Sequence, residues 1–547
     1  MLAAESWTVE AIREEVKRVV EAEEKQYGNG PQDKENGRSF CPDEAEAGAA
    51  SGPDEAVKDG RFIQFDSAFV LRCLSKNQVG DAEIFQAIHR DMLIYDHAAG
   101  AWFKWAGHYF KLDKTEGYIT KIQAICQIYE LELQRTSWRA NSIRARGEPA
   151  DKSLEVLEKA LRARLTALQS KSRIMDVLTL ARAGDGGLST SGDLWDANQL
   201  LFPCLNGVLE LETGHFRPGK PSDMILTHCE AEWLGKDEPC PNFKRFMLEI
   251  QNNDAVVVSF IQRILGYCMT GLSVERVLII LYGARGQNGK GSLLELMKKI
   301  LGKLAAEIPV ETLLASGKEA SGAAPRPDVL LMRGKRIVWC SETNKQKPLD
   351  VARCKLISGG DTQVARNLHA NFVEFEQTAK VFMLSNHKPK ADGTDDALWL
   401  RLLLIPFILS FVANPKQEHE RQRDEFIQEK LVKEASGILA WLYKGYLEWR
   451  RIGLSPPEQV LMATQDFRNE NDSISEFIND CCIVSPGIRA KPTELYQAFQ
   501  KFCADEGGIE PENQQSFFSY LKTRFKREKN VRGRWYLGIS LKSEPGA

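Results

Sequence analysis

The chain has 547 residues, 43% of them hydrophobic and 27% charged, so it can bury a large core spread over several domains. Its formal net charge is −3, so any nucleic acid has to bind to local basic surfaces. Residues 277–282 form the longest strand-like apolar run, too short to cross a bilayer, and the first residues lack a basic start with an apolar segment. The cysteines form no Cys-x-x-Cys pair, which predicts reduced thiols. We therefore expect a cytoplasmic protein with no membrane partner.

The predicted elements begin with a polar tail. An amphipathic helix is predicted over residues 7–26, whereas residues 27–59 have too few large apolar side chains to order themselves. A β-like stretch over residues 207–216 turns at Gly214. Helices are predicted over residues 68–75, 120–133, 153–182 and 240–272, and again beyond residue 415 as far as Arg451.

A glycine-rich loop between a predicted buried strand and a predicted helix is the strongest pattern in the chain. The strand covers residues 277–282, and the apolar residues of the helix fall on one face until Gly302. Backbone N–H groups of such a loop converge on phosphate oxygens, and Lys290 would reach the β- and γ-phosphates. ATP is therefore predicted to bind to Gly283, Gly286, Gln287, Asn288, Gly289, Lys290, Gly291 and Ser292.

The loop departs from the strict P-loop pattern at two positions. Ala284 stands where the spacing requires glycine, so that Gly283 makes the loop one residue longer. Gly291 follows the lysine in place of the usual Ser or Thr, which leaves Ser292 as the candidate Mg²⁺ ligand. A chance glycine-rich turn is the alternative interpretation of the loop taken alone.

Three further polar residues next to predicted strands would complete an ATPase site. Glu342, after residues 334–341, would hold Mg²⁺ and orient the attacking water, and Asn386, after residues 380–385, would position that water. Arg401, before residues 402–407, would reach the γ-phosphate held by a neighbouring subunit. Each could be an ordinary surface residue, but together they follow the order of a compact ATPase. We predict Lys290, Glu342, Asn386 and Arg401 as catalytic residues, and Ser292 and Glu342 as metal ligands.

With these motifs the sequence resembles the helicase part of the phage and plasmid primase-helicases, which are relatives of the poxvirus primase-helicase. The resemblance covers residue 62 to the end. It implies a superfamily 3 AAA+ core that assembles as a hexameric ring, uses Mg²⁺-ATP and moves 3′ to 5′ along single-stranded DNA. The stretches that carry it are FPCLNGVLELETG, FIQRILGYCMTG, GQNGKGS, GKRIVWCSE, KLISGGDTQVARNLHANFVEF, AKVFMLSNHKP and DDALWLRLLLIPF.

The same resemblance implies a hairpin that points into the pore of the ring. Lys355 lies in the stretch that leads into it, and Arg366, Asn367 and His369 fall on the hairpin, so that DNA contacts are predicted at these four residues. Basic side chains on a moving hairpin can hold consecutive phosphates without recognising bases. A plain surface charge is the alternative for Arg366.

The C-terminal residues predict a second DNA-binding surface. Helices over residues 491–507 and 513–525 lead into residues 521–542, where eight Lys or Arg stand against one Glu. A helix followed by a basic hairpin with Trp535 and Tyr536 is typical of a winged helix, and a solvated basic tail is the alternative. DNA contacts are predicted at Lys526, Arg527, Arg532 and Arg534.

We therefore expect a multidomain α/β protein with an α-rich N-terminal domain, an AAA+ P-loop ATPase core and a C-terminal winged helix. Its predicted parts are an acidic tail with a short helix (1–60), an α-rich helicase-associated domain (61–239), the ATPase domain (240–414), a helical connector (415–454) and the winged-helix domain (455–547).

The expected function is that of an ATP-dependent DNA helicase for phage, prophage or plasmid replication, acting on single-stranded and forked DNA in a bacterial host cell. We find no paired carboxylates on a sheet that would hold the two metals of a primer-synthesising site, so a separate primase or polymerase is the expected partner. The main alternative is an origin-binding initiator whose ATPase drives ring assembly. A third is a P-loop ATPase that acts on protein or packages DNA, which the pore segment argues against.

Overall fold

The computed structural model describes residues 56–58, 61–63, 65–315, 325–341, 347–366, 373–393, 395–505, 511, 513–530 and 533–542. They form two compact units. The first contains the described residues up to Ala197 together with Lys220–Leu226, and the second contains Asn198–Gly219 and the described residues from Thr227 onward. The predicted helix over residues 7–26 lies outside the described residues. No helix in the described part of the chain is long and apolar enough to span a membrane.

The first unit is helical with a small sheet, in agreement with the predicted α-rich N-terminal region. Strands β3 to β6 form one sheet in the order β5-β4-β3-β6, and β1 pairs with β2. The helices are α1 (Ser67–Ser75), α2 (Gln78–His89), α3 (Gly117–Thr120), α4 (Gln123–Ala145), α5 (Lys152–Ala167) and α6 (Lys171–Ala181). The strands are β1 (Ala56–Lys58), β2 (Arg61–Ile63), β3 (Leu93–Asp96), β4 (Ala101–Trp105), β5 (Phe110–Leu112) and β6 (Ser189–Thr190).

The prediction of one long helix over residues 153–182 is wrong. Helix α5 ends at Ala167, and α6 starts at Lys171 with Ser170 as its N-cap. The Ser170 hydroxyl accepts a hydrogen bond from the backbone N–H of Arg173 at 3.3 Å. Because serine is a favoured N-cap residue, it starts a new helix here rather than continuing the old one.

A buried carboxylate connects four helices of the first unit. Asp81 on α2 is completely buried, and it lies 2.6 Å from Arg164 on α5 and 2.6 Å from Arg173 on α6. The hydroxyl of Tyr129 on α4 donates a further hydrogen bond to it at 2.8 Å. The carboxylate is thus satisfied by both guanidinium groups, and its removal would leave two cations without their counter-charge.

The second unit is built around a five-stranded sheet in the order β11-β12-β15-β10-β16. The strands of the whole second unit are β7 (Leu201–Cys204), β8 (Gly207–Glu210), β9 (Phe216–Arg217), β10 (Leu278–Tyr282), β11 (Ala305–Glu307), β12 (Ile337–Ser341), β13 (Gln363–Ala365), β14 (Val373–Phe375), β15 (Lys380–Ser385), β16 (Leu402–Pro406), β17 (Ser410–Val412), β18 (Glu420–Gln422), β19 (Cys482–Ala490), β20 (Arg527–Asn530) and β21 (Gly533–Leu541). Its helices are α7 (Pro241–Ile250), α8 (Ala255–Tyr267), α9 (Lys290–Leu301), α10 (Pro327–Leu330), α11 (Val351–Ser358), α12 (Asp396–Trp399), α13 (Ile427–Val432), α14 (Ala435–Ile452), α15 (Glu458–Asn469), α16 (Ser473–Cys481), α17 (Pro492–Asp505) and α18 (Gln514–Arg524).

All five strands of the sheet run parallel, so their carboxyl ends meet at one edge. Tyr282 at the end of β10 lies opposite Ser385 of β15 and Pro406 of β16. Strands β10 and β15 are almost entirely buried, which explains why β10 and the middle of β15, residues 381–384, are continuous apolar runs rather than alternating ones. The predicted mixed α/β architecture is confirmed, and the central sheet of the second unit is parallel.

Beyond the sheet, the C-terminal elements form a hydrophobic core of their own that starts at Ile474. Their order is α16, β19, α17, α18, β20 and β21, with the strands arranged antiparallel as β19-β21-β20. The preceding helix α15 instead packs on the parallel sheet: Phe467 joins the sheet's core, and the Thr464 hydroxyl accepts from the backbone N–H of Leu404 at 3.0 Å.

Candidate nucleotide site and nucleic-acid surfaces

The glycine-rich loop connects the end of β10 to the start of α9, at the carboxyl edge of the sheet. Lys290 is the first residue of α9, and its side chain is 4% exposed. Its amine donates to the carbonyl oxygen of Gly283 at 3.2 Å and to Oδ1 of Asn386 at 3.0 Å. The structure therefore brings together Gly283, Lys290 and Asn386, three residues that the sequence predicted for one site.

Asn288 fixes the shape of the loop from inside. Its side-chain amide donates to the carbonyl oxygens of Gly283 at 3.3 Å and Arg285 at 2.6 Å. A Cβ on Gly283 would lie 2.1 Å from Nδ2 of Asn288 and 2.9 Å from the Lys290 amine, so this position cannot hold a larger residue without a shift. Gly289 has a φ of +86°, a backbone conformation that favours glycine.

Residues after β16 support the loop from outside. The Ser410 hydroxyl donates to the Gly286 carbonyl at 3.0 Å, and the backbone N–H of Phe411 donates to the Gln287 carbonyl at 2.7 Å. Ser410 and Phe411 begin β17, which pairs with β18 (Glu420–Gln422), so the prediction of helix directly beyond residue 415 is wrong for this segment. Each of these strands has three residues, too few to show a period, so only the fold reveals the support.

The two departures from the P-loop pattern have different surroundings. Gly291 is exposed, and an added Cβ there would have no atom within 4 Å. Ser292 is half-buried in the first turn of α9, and its carbonyl accepts from the Gln428 side-chain amide at 2.8 Å. The hydroxyl of Ser292 thus lies near the end of the helix that would face a phosphate-bound cation.

The electrostatic state of Lys290 follows from its burial. Burial lowers the pKa of its amine from 10.5 to about 8. Its hydrogen-bond acceptors are a neutral carbonyl and a neutral amide oxygen, and no ion pair of Lys290 with an acid is found in the described part of the chain. A buried cation of this kind gains most from a ligand that brings negative charge, such as a triphosphate.

The other predicted catalytic residues lie in different places. Strand β12 ends at Ser341, opposite Leu384 of β15, while Glu342 itself lies outside the described residues. Arg401 lies at the amino edge of the sheet, where its carbonyl accepts from the backbone N–H of Leu278 at 2.8 Å. At about 3.3 Å per residue, the length of a strand separates Arg401 from the loop edge by roughly 15 Å. Arg401 therefore cannot reach the phosphates held by the Lys290 of its own chain.

The segment predicted to form the pore hairpin contains two short paired strands. Strands β13 and β14 pair antiparallel, with Ala365 opposite Val373, and Asn367 and His369 lie outside the described residues. Arg366 is half-buried, and its carbonyl accepts from the backbone N–H of Arg326 at 3.0 Å.

Lys355 on α11 forms an ion pair of 2.6 Å with Asp395. Burial alone would raise the pKa of Asp395, but hydrogen bonds from Lys355 and from the backbone N–H of Leu398 lower it. As placed here, Lys355 supports the segment before the stem, and a phosphate contact would compete with Asp395.

The C-terminal basic residues are exposed on one hairpin. Lys526 precedes β20, Arg527 begins it, and Arg534 lies on β21, whereas Arg532 lies outside the described residues. The guanidinium of Arg489 and the amine of Lys491 lie 4.7 and 5.5 Å from the centre of the Trp535 ring. Tyr536 is completely buried, so it serves the core of this part of the chain.

The fold and the loop together define the class of protein. The chain is a mixed α/β protein with a helical N-terminal region and a parallel five-stranded sheet consistent with a P-loop core. The family model described as "D5 N terminal like" matches residues 82–252. The chain therefore carries a D5 N-terminal-like domain and is homologous to the viral proteins designated helicases and primases with which it aligns.

Three such relatives show the extent of the similarity. A protein of Acanthamoeba polyphaga mimivirus designated a putative helicase is 30% identical over 298 residues, 52% of this chain and 31% of its own length. A putative helicase of Frog virus 3 is 25% identical, covering 56% of this chain and 39% of its own. A putative primase of African swine fever virus is 25% identical, covering 53% and 32%. The chain thus spans about a third of the length of these relatives, which come from eukaryotic viruses.

Among solved structures, the apo C-terminal region of NrS-1 covers 85% of this chain and 100% of its own, with 12% identity and a TM-score of 0.42.

Proposed function

We propose that this chain is an ATP-dependent DNA helicase with a superfamily 3 AAA+ core. The observation that carries the proposal is the buried Lys290 amine, held between the loop carbonyl of Gly283 and Asn386 with no acid paired to it in the described residues. The homologous viral proteins designated helicases support the same activity.

ATP would bind with its phosphates on the loop between β10 and α9. The charged Lys290 amine would leave Gly283 and Asn386 for the β- and γ-phosphates, and the freed Asn386 oxygen would accept a hydrogen bond from the attacking water. The hydroxyl of Ser292 and the carboxylate of Glu342 are the hard oxygen donors that Mg²⁺ prefers, so these two residues would hold the ion. The bound Mg²⁺ would neutralise charge on the β- and γ-phosphate oxygens.

A second copy of the chain would complete each site. Because the sheet separates Arg401 from the Lys290 of the same chain, Arg401 can act only on a nucleotide held by a neighbour. The residue before it, Leu400, is 83% exposed, an apolar surface that an adjoining subunit would cover. We propose that six copies close into a ring, as the resemblance to superfamily 3 helicases implies.

Single-stranded DNA would pass through the ring, and the ring would move 3′ to 5′ along it by means of the hairpin whose stem is β13–β14. The exposed cations at Lys526, Arg527 and Arg534 would hold phosphates of the duplex or fork through a winged helix formed by α16 to β21. The substrate would be phage, prophage or plasmid DNA in a bacterial cytoplasm, with primer synthesis supplied by a separate primase or polymerase.

An origin-binding initiator is the second candidate, and one observation favours it. The C-terminal elements, α16 to β21, have a hydrophobic core of their own and expose a basic hairpin, as a duplex-binding module would. An initiator would hydrolyse ATP yet open only DNA that contains its own sequence.

Subunit mixing tests the shared site. Lys290→Ala alone cannot use ATP, and Arg401→Ala alone cannot complete a neighbour's site, so each should hydrolyse ATP poorly in the presence of single-stranded DNA. In a random equal mixture, about one interface in four pairs an intact Lys290 with an intact Arg401 from the neighbour, so about a quarter of the wild-type rate should return. A mixture no more active than its two components would contradict the proposed ring site.

A further inference from the structure

The three helices of the C-terminal part differ in their acidic residues. Helix α16 carries Glu476 and Asp480, and α17 carries Glu494 and Asp505. Helix α18, with the sequence QQSFFSYLKTR, has no acidic residue. Phosphates line both grooves of duplex DNA, so α18 is the helix of these three that can enter a groove without repulsion from carboxylates.

Helix α18 has one face fixed in the core and one face in solvent. Phe517 and Leu521 are completely buried, whereas Gln515, Ser519 and Lys522 are exposed at the i, i+4, i+7 spacing of a single helical face. Its eleven residues make a helix roughly 16 Å long, enough to lie across a major groove roughly 12 Å wide. The outward side chains are amides, hydroxyls and amines, which can all form hydrogen bonds with base edges.

The N-terminus of the same helix is held in place by Asn513. Its Oδ1 accepts from the backbone N–H groups of Gln515 at 3.1 Å and Ser516 at 2.9 Å. The first turn, which carries Gln515, is thus ordered before any ligand binds, and this lowers the entropy cost of binding.

The strand pair that follows α18 contains two cationic side chains whose mutual repulsion destabilises the pairing. Lys529 on β20 lies directly opposite Arg534 on β21, and both side chains are exposed. Like charges directly opposite each other destabilise an antiparallel pair. A phosphate between or beside them would remove this repulsion, so the pair indicates an anionic ligand independently of α18.

We propose that α18 recognises a base sequence in the major groove of duplex DNA, while Lys529 and Arg534 hold the phosphates beside that groove. A glutamine can bind N6 and N7 of adenine, a lysine can bind O6 and N7 of guanine, and a serine can bind either base. Gln515, Ser519 and Lys522 are therefore the specificity-determining residues. The inference rests on the proposed DNA-binding role of the C-terminal part, and it gives the helicase a defined loading sequence.

The test is selection from a random-sequence duplex library by the full chain without ATP, at physiological salt. The wild type should enrich one sequence. Gln515→Ala and Ser519→Ala should each bind that sequence roughly 5- to 150-fold more weakly, with binding to a scrambled duplex unchanged. Lys529→Ala and Arg534→Ala should weaken binding to both duplexes alike and reduce its salt dependence. These contrasting variants separate base recognition from phosphate contact.

The inference would be overturned by the absence of an enriched sequence with the wild type, or by equal binding of the enriched sequence by the wild type and the α18 variants. Enrichment from a single-stranded library alone would also overturn it. ATP hydrolysis and fork unwinding are measured on the same preparations, so that failure of this inference can be distinguished from failure of the helicase proposal. Unwinding without an enriched sequence leaves the helicase proposal standing, whereas an enriched sequence without unwinding would contradict the helicase and not the inference.

Discussion

The burial of Lys290 makes ATP binding sensitive to pH in a range where most lysines are fully charged. Its pKa is lowered to about 8, and the triphosphate needs the charged form of the amine. The charged fraction falls from roughly nine-tenths at pH 7 to roughly one-tenth at pH 9. The dissociation constant for ATP, measured by calorimetry, should therefore rise about tenfold over this range.

Lys290→Arg is the matched control, because arginine stays charged throughout. Its affinity should be lower but nearly constant from pH 7 to pH 9. A flat wild-type profile, or the same rise in Lys290→Arg, would refute the argument from burial. In the absence of nucleotide, the same amine has the opposite effect and makes the folded chain more stable as pH rises. The Lys290 amine stays protonated up to about pH 10.5 in the unfolded chain, whereas it loses its proton near pH 8 in the folded chain. The free energy of unfolding therefore increases with pH between these two values.

Three further predictions concern the loop and the first unit. Gly283→Ala should weaken ATP binding at least about fivefold, since its Cβ would push against Asn288 and Lys290 at a cost of about 1–3 kcal/mol; calorimetric titration with ATP checks this. The added methyl group of Gly291→Ala would lie in open space on a helix, so this substitution should raise the free energy of unfolding of the nucleotide-free protein by about 0.5 kcal/mol. Thermal unfolding measures this, and an unchanged or lower stability would contradict the open geometry. Asp81→Ala should destabilise the first unit by about 3–5 kcal/mol in denaturant unfolding, because Arg164 and Arg173 lose their buried counter-charge. Glu83→Gln removes the charge from the solvent-facing pair with Lys76, and its remaining side-chain oxygen can still accept from the Cys73 thiol, so it should cost less than about 1 kcal/mol; equal losses in the two variants would argue against the buried network.

The sequence predicted the strand, loop and helix around Lys290 well because the strand and the helix have long, unambiguous patterns. Strand β15 has the predicted bounds, β10 starts one residue later than predicted, and α9 ends at Leu301, directly before the predicted end at Gly302. Buried parallel strands must be apolar on both faces, and the helix after the loop must be apolar on one, so composition and period agree here.

Other features depend on tertiary contacts that no local pattern contains. The position of β15 between β12 and β10 is set by crossover connections, which strand sequences do not encode. The support of the loop by Ser410 and Phe411 comes from two strands of three residues each. Asp81 looks like any helical surface acid until α5 and α6 bring their arginines to it. The break at Ser170 did have a local indication, a serine in N-cap position, which the continuous charge pattern obscured.

Strand separation on forked DNA tests the central claim most directly. The substrates are two forks that differ only in whether the single-stranded loading tail ends 3′ or 5′, with ATP and Mg²⁺ present. The account predicts unwinding by the wild type on the 3′-tailed fork and its loss in Lys290→Ala and in Glu342→Gln. ATP hydrolysis without strand separation on either fork, or equal unwinding by Lys290→Ala, would contradict the assignment of this chain as a helicase driven by the Lys290 site.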